Sequence, residues 1–337
     1  MEIGIGDYST RRRFYANVLK LNNLIMRFVS IPENGASWRE KLIYVIDAES
    51  DVGVNLAVEI IDTSLGQLAS LNIYNVTSAE IDIAPYLRAS VDETPTDGTE
   101  GLAWSTAALS IVVRINGVES PERLFYRAQL DCSQPRILSK LPIRPIVSLG
   151  ETIRMTIFSP RAVEIRAVFA SLAPVNRTYR LVTAGRPVEF TLPLVNMSIT
   201  QGLRITVLCD GVQQASYDYV ITHRDKSARQ LVWYNVGGGV ESYTFPKSVR
   251  LGYSADMAEG QSRIKSRRVM RRLCSAYESA EEIERIVQMI FSQSVYLVTE
   301  RGCVLQRDIK RRIEFSPQGT LNQLMIDVVE EWRGGEL

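Results

Sequence analysis

Thr152-Ile153-Arg154-Met155-Thr156-Ile157 and, after a short break, Val163-Glu164-Ile165-Arg166-Ala167-Val168 alternate apolar and polar side chains residue by residue. Successive side chains of a strand point to opposite faces, so this period of two sets one face against a core and the other in water. The same pattern recurs at 43–46, 54–61, 109–115, 124–130, 177–182, 186–194, 204–208 and 216–221. Gly, Pro, Asn and Asp fall between these runs. That spacing predicts the half-buried antiparallel strands of β-sandwiches. Helical periodicity is scarce before residue 260.

The chain has 337 residues, 45% of them apolar and 23% charged, with a formal net charge of +1. These values exclude a disordered polar chain and a strongly basic nucleic-acid coat. The length suits two or three domains, each large enough to bury a core. The prolines from Pro135 to Pro145 interrupt a central sheet and mark one boundary, and the charges around His223–Ser227 mark a second. The expected organisation is an N-terminal arm (1–36), a β-sandwich-like domain (37–146), a smaller β-sandwich-like domain (147–226) and an α+β domain (227–337). The arm lacks strong periodicity and is expected to order on contact with a neighbour.

The last domain carries the clearest helix signal. Ser279, with Glu282 three residues on, forms a capping box that satisfies the free amides of a first helical turn. Ile283, Ile286, Val287, Ile290 and Phe291 then repeat at three- and four-residue steps, an apolar stripe to lie on a sheet. Strands at 295–298, 303–309 and 321–329 are expected to supply that sheet, with Arg301-Gly302 as a turn. The fold class is thus mainly β, two β-sandwich-like domains followed by a small α+β domain with one amphipathic helix on an antiparallel sheet.

Chemistry is sparse. There is a single histidine, His223, so any His-dependent mechanism must pass through one position at the end of a strand. Cys132, Cys209, Cys274 and Cys303 have no CxxC spacing and no neighbouring histidine, and read as ordinary buried thiols. Phosphate-loop, dinucleotide, HExxH and GxSxG patterns are missing from the sequence. The pairs Glu281-Glu282 and Glu330-Glu331 are sequence neighbours that do not face one substrate and read as solvated surface. No catalytic residue, cofactor or metal is expected, and the chain is read as a non-enzyme. No apolar run approaches a membrane span. The 19–31 stretch is interrupted by Lys20, Asn22, Asn23 and Arg27, so no export signal is expected.

Two segments are candidate interaction surfaces. Arg263, Lys265, Arg267, Arg268, Arg271 and Arg272 place six positive charges within ten residues. Such a strip can follow a phosphate backbone. Net neutrality, the lack of interleaved aromatics and the acids that follow favour a solvated or partner-facing strand, with nucleic acid the disfavoured partner. The second segment is Leu231-Val232-Trp233-Tyr234-Asn235-Val236-Gly237-Gly238-Gly239-Val240-Glu241-Ser242-Tyr243-Thr244-Phe245-Pro246. It reads as a hairpin of two aromatic strands around a glycine turn. Trp233, Tyr234, Tyr243 and Phe245, with Arg267, Arg268, Arg271 and Arg272, are the expected contacts.

The order Trp233, Asn235, Gly238, Gly239, Glu241, Tyr243, Phe245 resembles a hairpin of structural proteins of tailed bacteriophages and prophages, particularly those of Bacteroidetes hosts. That family often has an aromatic where this chain has Val240. The capped helix from Ser279, the Val295-Tyr296-Leu297-Val298 strand, Gly302 and the final 324–332 strand follow the family's order. Upstream, 58–62, Gly66 and Ile81-Asp82-Ile83-Ala84-Pro85-Tyr86-Leu87 resemble its strand, turn and short helical turn, where Pro85 suits a first turn. The resemblance implies a virion component of the tail tip, baseplate or fibre attachment, assembled in the host bacterial cytoplasm. Its implied partners are copies of itself and other virion proteins. A cell-surface glycan or receptor-binding module, and a portal or head-completion protein contacting DNA, are the competing expectations.

Overall fold

The computed structural model describes residues 26–331 except 92–94, 96–98, 142–145, 171–174, 196–201, 224, 258–263, 300–301, 307–308 and 310–313. Residues 254–257, 264–267, 314–317 and 331 are described by backbone alone. The expected arm therefore lies outside the described residues as far as residue 25. So do Arg263, Arg301 and Trp332. The chain divides into two compact units, Met1–Val91 with Leu109–Gln129, and Asp92–Ala108 with Leu130–Leu337.

The first unit is a pair of antiparallel sheets. Strands β1 (Arg27–Ser30), β2 (Ile43–Asp47), β3 (Val54–Asp62), β4 (Gly66–Val76) and β5 (Ser78–Asp82) precede helix α1 (Ala84–Ser90). Strand β6 (Gly101–Trp104) belongs to the second unit. Then β7 (Ala108–Ile115), β8 (Val118–Glu119) and β9 (Arg123–Tyr126) complete the first. One sheet has the order β1-β2-β5, the other β4-β3-β7-β8 with β9 also on β7. Their inward faces bury Tyr44, Ile46, Val58, Ile60, Ile111, Val113 and Phe125 in one core. Pro85 sits in the first turn of α1, as expected, where its missing N–H is no loss.

The second unit opens with β10 (Arg136–Ile137), β11 (Ile146–Ser148), β12 (Thr152–Phe158), β13 (Ala162–Ala170), β14 (Val175–Val182), β15 (Val188–Pro193), β16 (Gly202–Cys209) and β17 (Val212–Thr222). Sheets β10-β12-β15-β6 and β11-β17-β16-β13-β14 enclose a core of Ile153, Met155, Ile165, Phe169, Phe190, Leu192, Ile205 and Val207. The alternating runs that predicted the sandwich are its β12 and β13.

The same unit continues through β18 (Arg229–Tyr234), β19 (Val240–Phe245), β20 (Lys247–Met257), β21 (Ile264–Glu278), helix α2 (Ala280–Val287), a 3₁₀ turn (Gln288–Phe291), β22 (Val295–Thr299), β23 (Gly302–Leu305), β24 (Glu314–Gln318) and β25 (Leu321–Glu331). Sheets β19-β18-β22-β23 and β20-β21-β25-β24 bury Leu231, Trp233, Phe245, Leu273, Leu297, Leu324 and Ile326 together with Ile283 and Ile286 of α2. The Ser279 hydroxyl accepts the Glu282 amide at 3.3 Å, the expected N-cap. The apolar stripe runs differently at its end. The last turn tightens to three residues per turn, which advances the phase, so Met289 enters the core while Phe291 is 66% exposed.

The units do not follow the expected cuts at 146/147 and 226/227. Residues 101–104 leave the first domain to pair with β15, and 130–141 join the second unit. Alternation identifies a strand and its faces but not its partner. Among the described residues no helix is long and apolar enough to cross a membrane.

Candidate functional site

The aromatic hairpin forms as expected, with Trp233 opposite Glu241 and Tyr234 opposite Val240. The Asn235 side chain organises its turn: Oδ1 accepts the amides of Gly237 at 2.8 Å and Gly239 at 3.0 Å. The Asn235 amide donates to the Gly239 carbonyl at 2.8 Å, and Gly238 takes φ 81°, which a Cβ disfavours.

This turn grips another part of the chain. Asn235 Nδ2 donates to the Leu138 carbonyl at 2.9 Å and also to Glu241 Oε1. The Glu241 carboxylate accepts the Lys140 amide at 2.7 Å and the Leu141 amide at 2.8 Å. Ser139 Oγ donates to the Val240 carbonyl and accepts the Thr156 amide at 2.8 Å, while Thr156 Oγ1 accepts the Val240 amide at 2.8 Å. The segment 138–141, which leads away from β10, is therefore sewn between β12 and the hairpin turn. Arg285 of α2 adds a bond to the Lys140 carbonyl.

Glu241 is buried, and burial outweighs its amide donors and pushes its carboxyl up to about 7. Both its oxygens are engaged by backbone or Asn235 donors. That arrangement holds a chain segment in place, with two donors on Oε1 and one on Oε2. The opposite face of the hairpin meets the β12–β15 sheet through polar contacts: Tyr234 donates to Glu189 at 3.4 Å, and Gln230 to the Thr152 carbonyl at 3.4 Å.

Three of the four expected aromatic contacts are consequently interior. Trp233 and Phe245 are fully buried, and Tyr234 is 3% exposed. Tyr243 is half-buried, donating to Glu278 at 2.9 Å and accepting the Ala276 amide at 3.1 Å. Burial, with Glu278 second, raises its phenol above the ordinary tyrosine range. The correction has a simple cause. This sheet is packed on both faces, the α2 core on one and the β12–β15 sheet on the other, so Trp233, Tyr234 and Phe245 are closed off from water while Tyr243 keeps partial exposure.

Two members of the basic strip, Arg271 and Arg272, are paired within the chain. Arg272 lies directly across from Asp327, donating from Nε at 2.8 Å and from a terminal nitrogen at 3.2 Å. Arg271 and Arg229 share Glu330, each at 2.6 Å. Arg268 is in register with Glu331. Arg267 is opposite Ala255 in the ladder, and its side chain lies outside the described residues. Asp327 and Glu330 of β25 meet Arg272 and Arg271 of β21 because the two strands are antiparallel neighbours, a pairing that a linear charge count hides. His223 is exposed at the end of β17. Of the thiols, only Cys209 and Cys274 are buried as expected, whereas Cys132 is exposed and Cys303 half-exposed.

The sequence reading passed over Leu138, Ser139 and Thr156, which the lock requires. The one available signal was a carboxylate, Glu241, inside an otherwise uncharged apolar hairpin.

The fold and this lock define a tandem β-sheet protein whose second unit is fastened internally by a buried polar joint. No family model and no curated protein matches the chain. Solved structures with some likeness include the Dpr2 Ig1-Ig2 fragment in complex with DIP-Theta, at 10% identity and TM-score 0.17, covering 59% of this chain and 99% of that one. The native conformation of E. coli alpha-2-macroglobulin shares 7% identity at TM-score 0.21, covering 74% of this chain and 22% of that one. The CBD12 fragment of CALX1.2 shares 8% identity at TM-score 0.15, covering 50% and 73%.

Proposed function

We propose that this chain is a non-enzymatic structural protein of a tailed-bacteriophage or prophage virion, a tail-tip, baseplate or fibre-attachment component that works by protein–protein assembly. One observation carries the reading. The residues by which the sequence resembles that family include Asn235, Gly239 and Glu241, the parts of a single buried lock, while Trp233 and Phe245 beside them lie in one core with Leu141. A joint of this kind fixes one β-layer on the next, which suits a part that must hold its shape within an assembly. The chain would assemble in the bacterial cytoplasm and act in the virion.

The test is light scattering across a concentration series with negative-stain imaging of the same fractions, followed by co-purification with tail proteins of a host phage. A dimer, ring, trimer, filament or tail-protein complex is the expected result. A strict monomer that retains cell-surface glycan and ignores tail proteins would overturn the reading.

A further inference from the structure

The longest run without a charged residue or histidine in the chain is the 17 residues from Thr63 to Ala79. It contains β4, an edge of the larger sheet of the first unit, which among the described residues pairs only with β3. A free edge displays unpaired N–H and C=O groups, and soluble proteins normally guard it with charge or proline. The other long edges are charged, with Arg177 and Arg180 on β14 and Lys247 and Arg250 on β20. β4 has neither guard. Its register with β3 breaks on either side of Ala69–Ile73, leaving that stretch as a regular ladder.

The faces of this ladder are distinct. Leu71 and Ile73 pack on the core of the unit, while Ser70, Asn72 and Tyr74 are exposed, Tyr74 at 68%. The preceding turn is fixed by Asp62, whose Oδ1 accepts the Ser64 and Leu65 amides at 2.8 Å. The edge is thus presented on a held hairpin.

We propose that β4 is a docking strand and that its partner is β4 of a second copy of this chain, added antiparallel so that the sheet continues across a twofold axis. The sequence of the strand suits itself. Opposed residues of an antiparallel pair share a face, so a pairing centred on Asn72 sets Leu71 against Ile73 twice on the core side. On the outer side it sets Ser70 against Tyr74 twice. No register brings like charges together, because the strand has none. An edge without charge offers little with which to select a foreign strand, whereas twofold symmetry supplies the face match automatically. This deepens the assembly reading, and its role in a virion rests on that reading.

The experiment is native mass spectrometry and light scattering of the full chain over a range of concentrations, comparing wild type with Asn72→Lys and with Gln214→Lys, an exposed control on β17. Wild type should dimerise, Asn72→Lys should raise the dissociation constant at least tenfold with an unchanged circular dichroism spectrum, and Gln214→Lys should match wild type. Asn72→Cys in a Cys132→Ser background should oxidise to a covalent dimer. A wild-type monomer at every concentration, or a dimer indifferent to Asn72→Lys and without the cross-link, overturns the proposal. Assembly with tail proteins through another surface would then leave the functional reading standing. Conversely, a β4 dimer that ignores tail proteins keeps this proposal and counts against that reading.

Discussion

Gly239 lies against Leu138 so closely that a Cβ built on the glycine would overlap the Leu138 carbonyl and stand 2.6 Å from the Ser139 amide nitrogen. Two segments a hundred residues apart can touch there only because one of them has no side chain. Gly239→Ala should therefore cost about 2 kcal/mol or more, as overpacking of a closed interior does. Gly237→Ala, whose Cβ would meet only Asn235 Oδ1 at 3.3 Å, should cost less than about 1 kcal/mol. Urea denaturation of both variants, read as midpoints at equal slope, checks the ranking.

Glu241 makes the same joint sensitive to pH. Its carboxyl rises from an ordinary 4.5 to about 7 in the folded chain. The folded state therefore holds the proton more tightly than the unfolded one. The stabilisation is complete below about pH 4.5 and is lost as pH rises through 7, about 3 kcal/mol in all. Glu241→Gln cannot titrate. The difference in unfolding free energy between wild type and this variant should shift in that direction between pH 4.5 and 8, and a constant difference would refute it.

The tightened end of α2 gives a packing test. Met289→Ala should cost about 2 to 4 kcal/mol, because Met289 is fully buried in the core. Phe291→Ser should change stability by about 0.5 kcal/mol or less, since the ring is mostly in water. Thermal unfolding followed by circular dichroism separates the two, and a larger effect at Phe291 would place the stripe where simple α periodicity puts it.

The arginines of β21 should differ according to their partners. Arg271 is the more buried, at 10% side-chain exposure against 32% for Arg272. Arg271→Ala leaves the carboxylate of Glu330 with Arg229 alone among the described residues and should cost about 2 kcal/mol. Arg272→Ala should cost about 1 kcal/mol or less. If the strip is committed to β25, the double variant should also leave DNA retention on a filter unchanged across a salt series. A retention lost on mutation and steep in salt would instead assign these arginines to phosphate.

How much was legible from the residues alone can be argued element by element. Alternation placed β12, β13 and β16, and the Ser279 cap placed the start of α2, because a strand face and a capped first turn are settled by neighbours within a few residues. The whole of β4, by contrast, went unread, since its polar positions are Ser, Asn and Tyr and its alternation carries no charge to sharpen it. The hairpin itself was read from its glycines and aromatics. Its burial was not, because the second layer over it comes from β12 and β15, far away in sequence.

The amino-acid order therefore settled many local conformations of this protein: most of the stretches that extend, the capped start of α2, and where Asn235 and its glycines must turn. Partnership was decided by the folded chain. Glu241 became the anchor of residues 138–141, and Arg271 and Arg272 of β21 found Glu330 and Asp327 of β25, only when long-range packing set them beside their complements. The physical reason is that backbone dihedrals respond to adjacent residues. Desolvation and charge pairing depend on whatever the fold brings within a few ångströms.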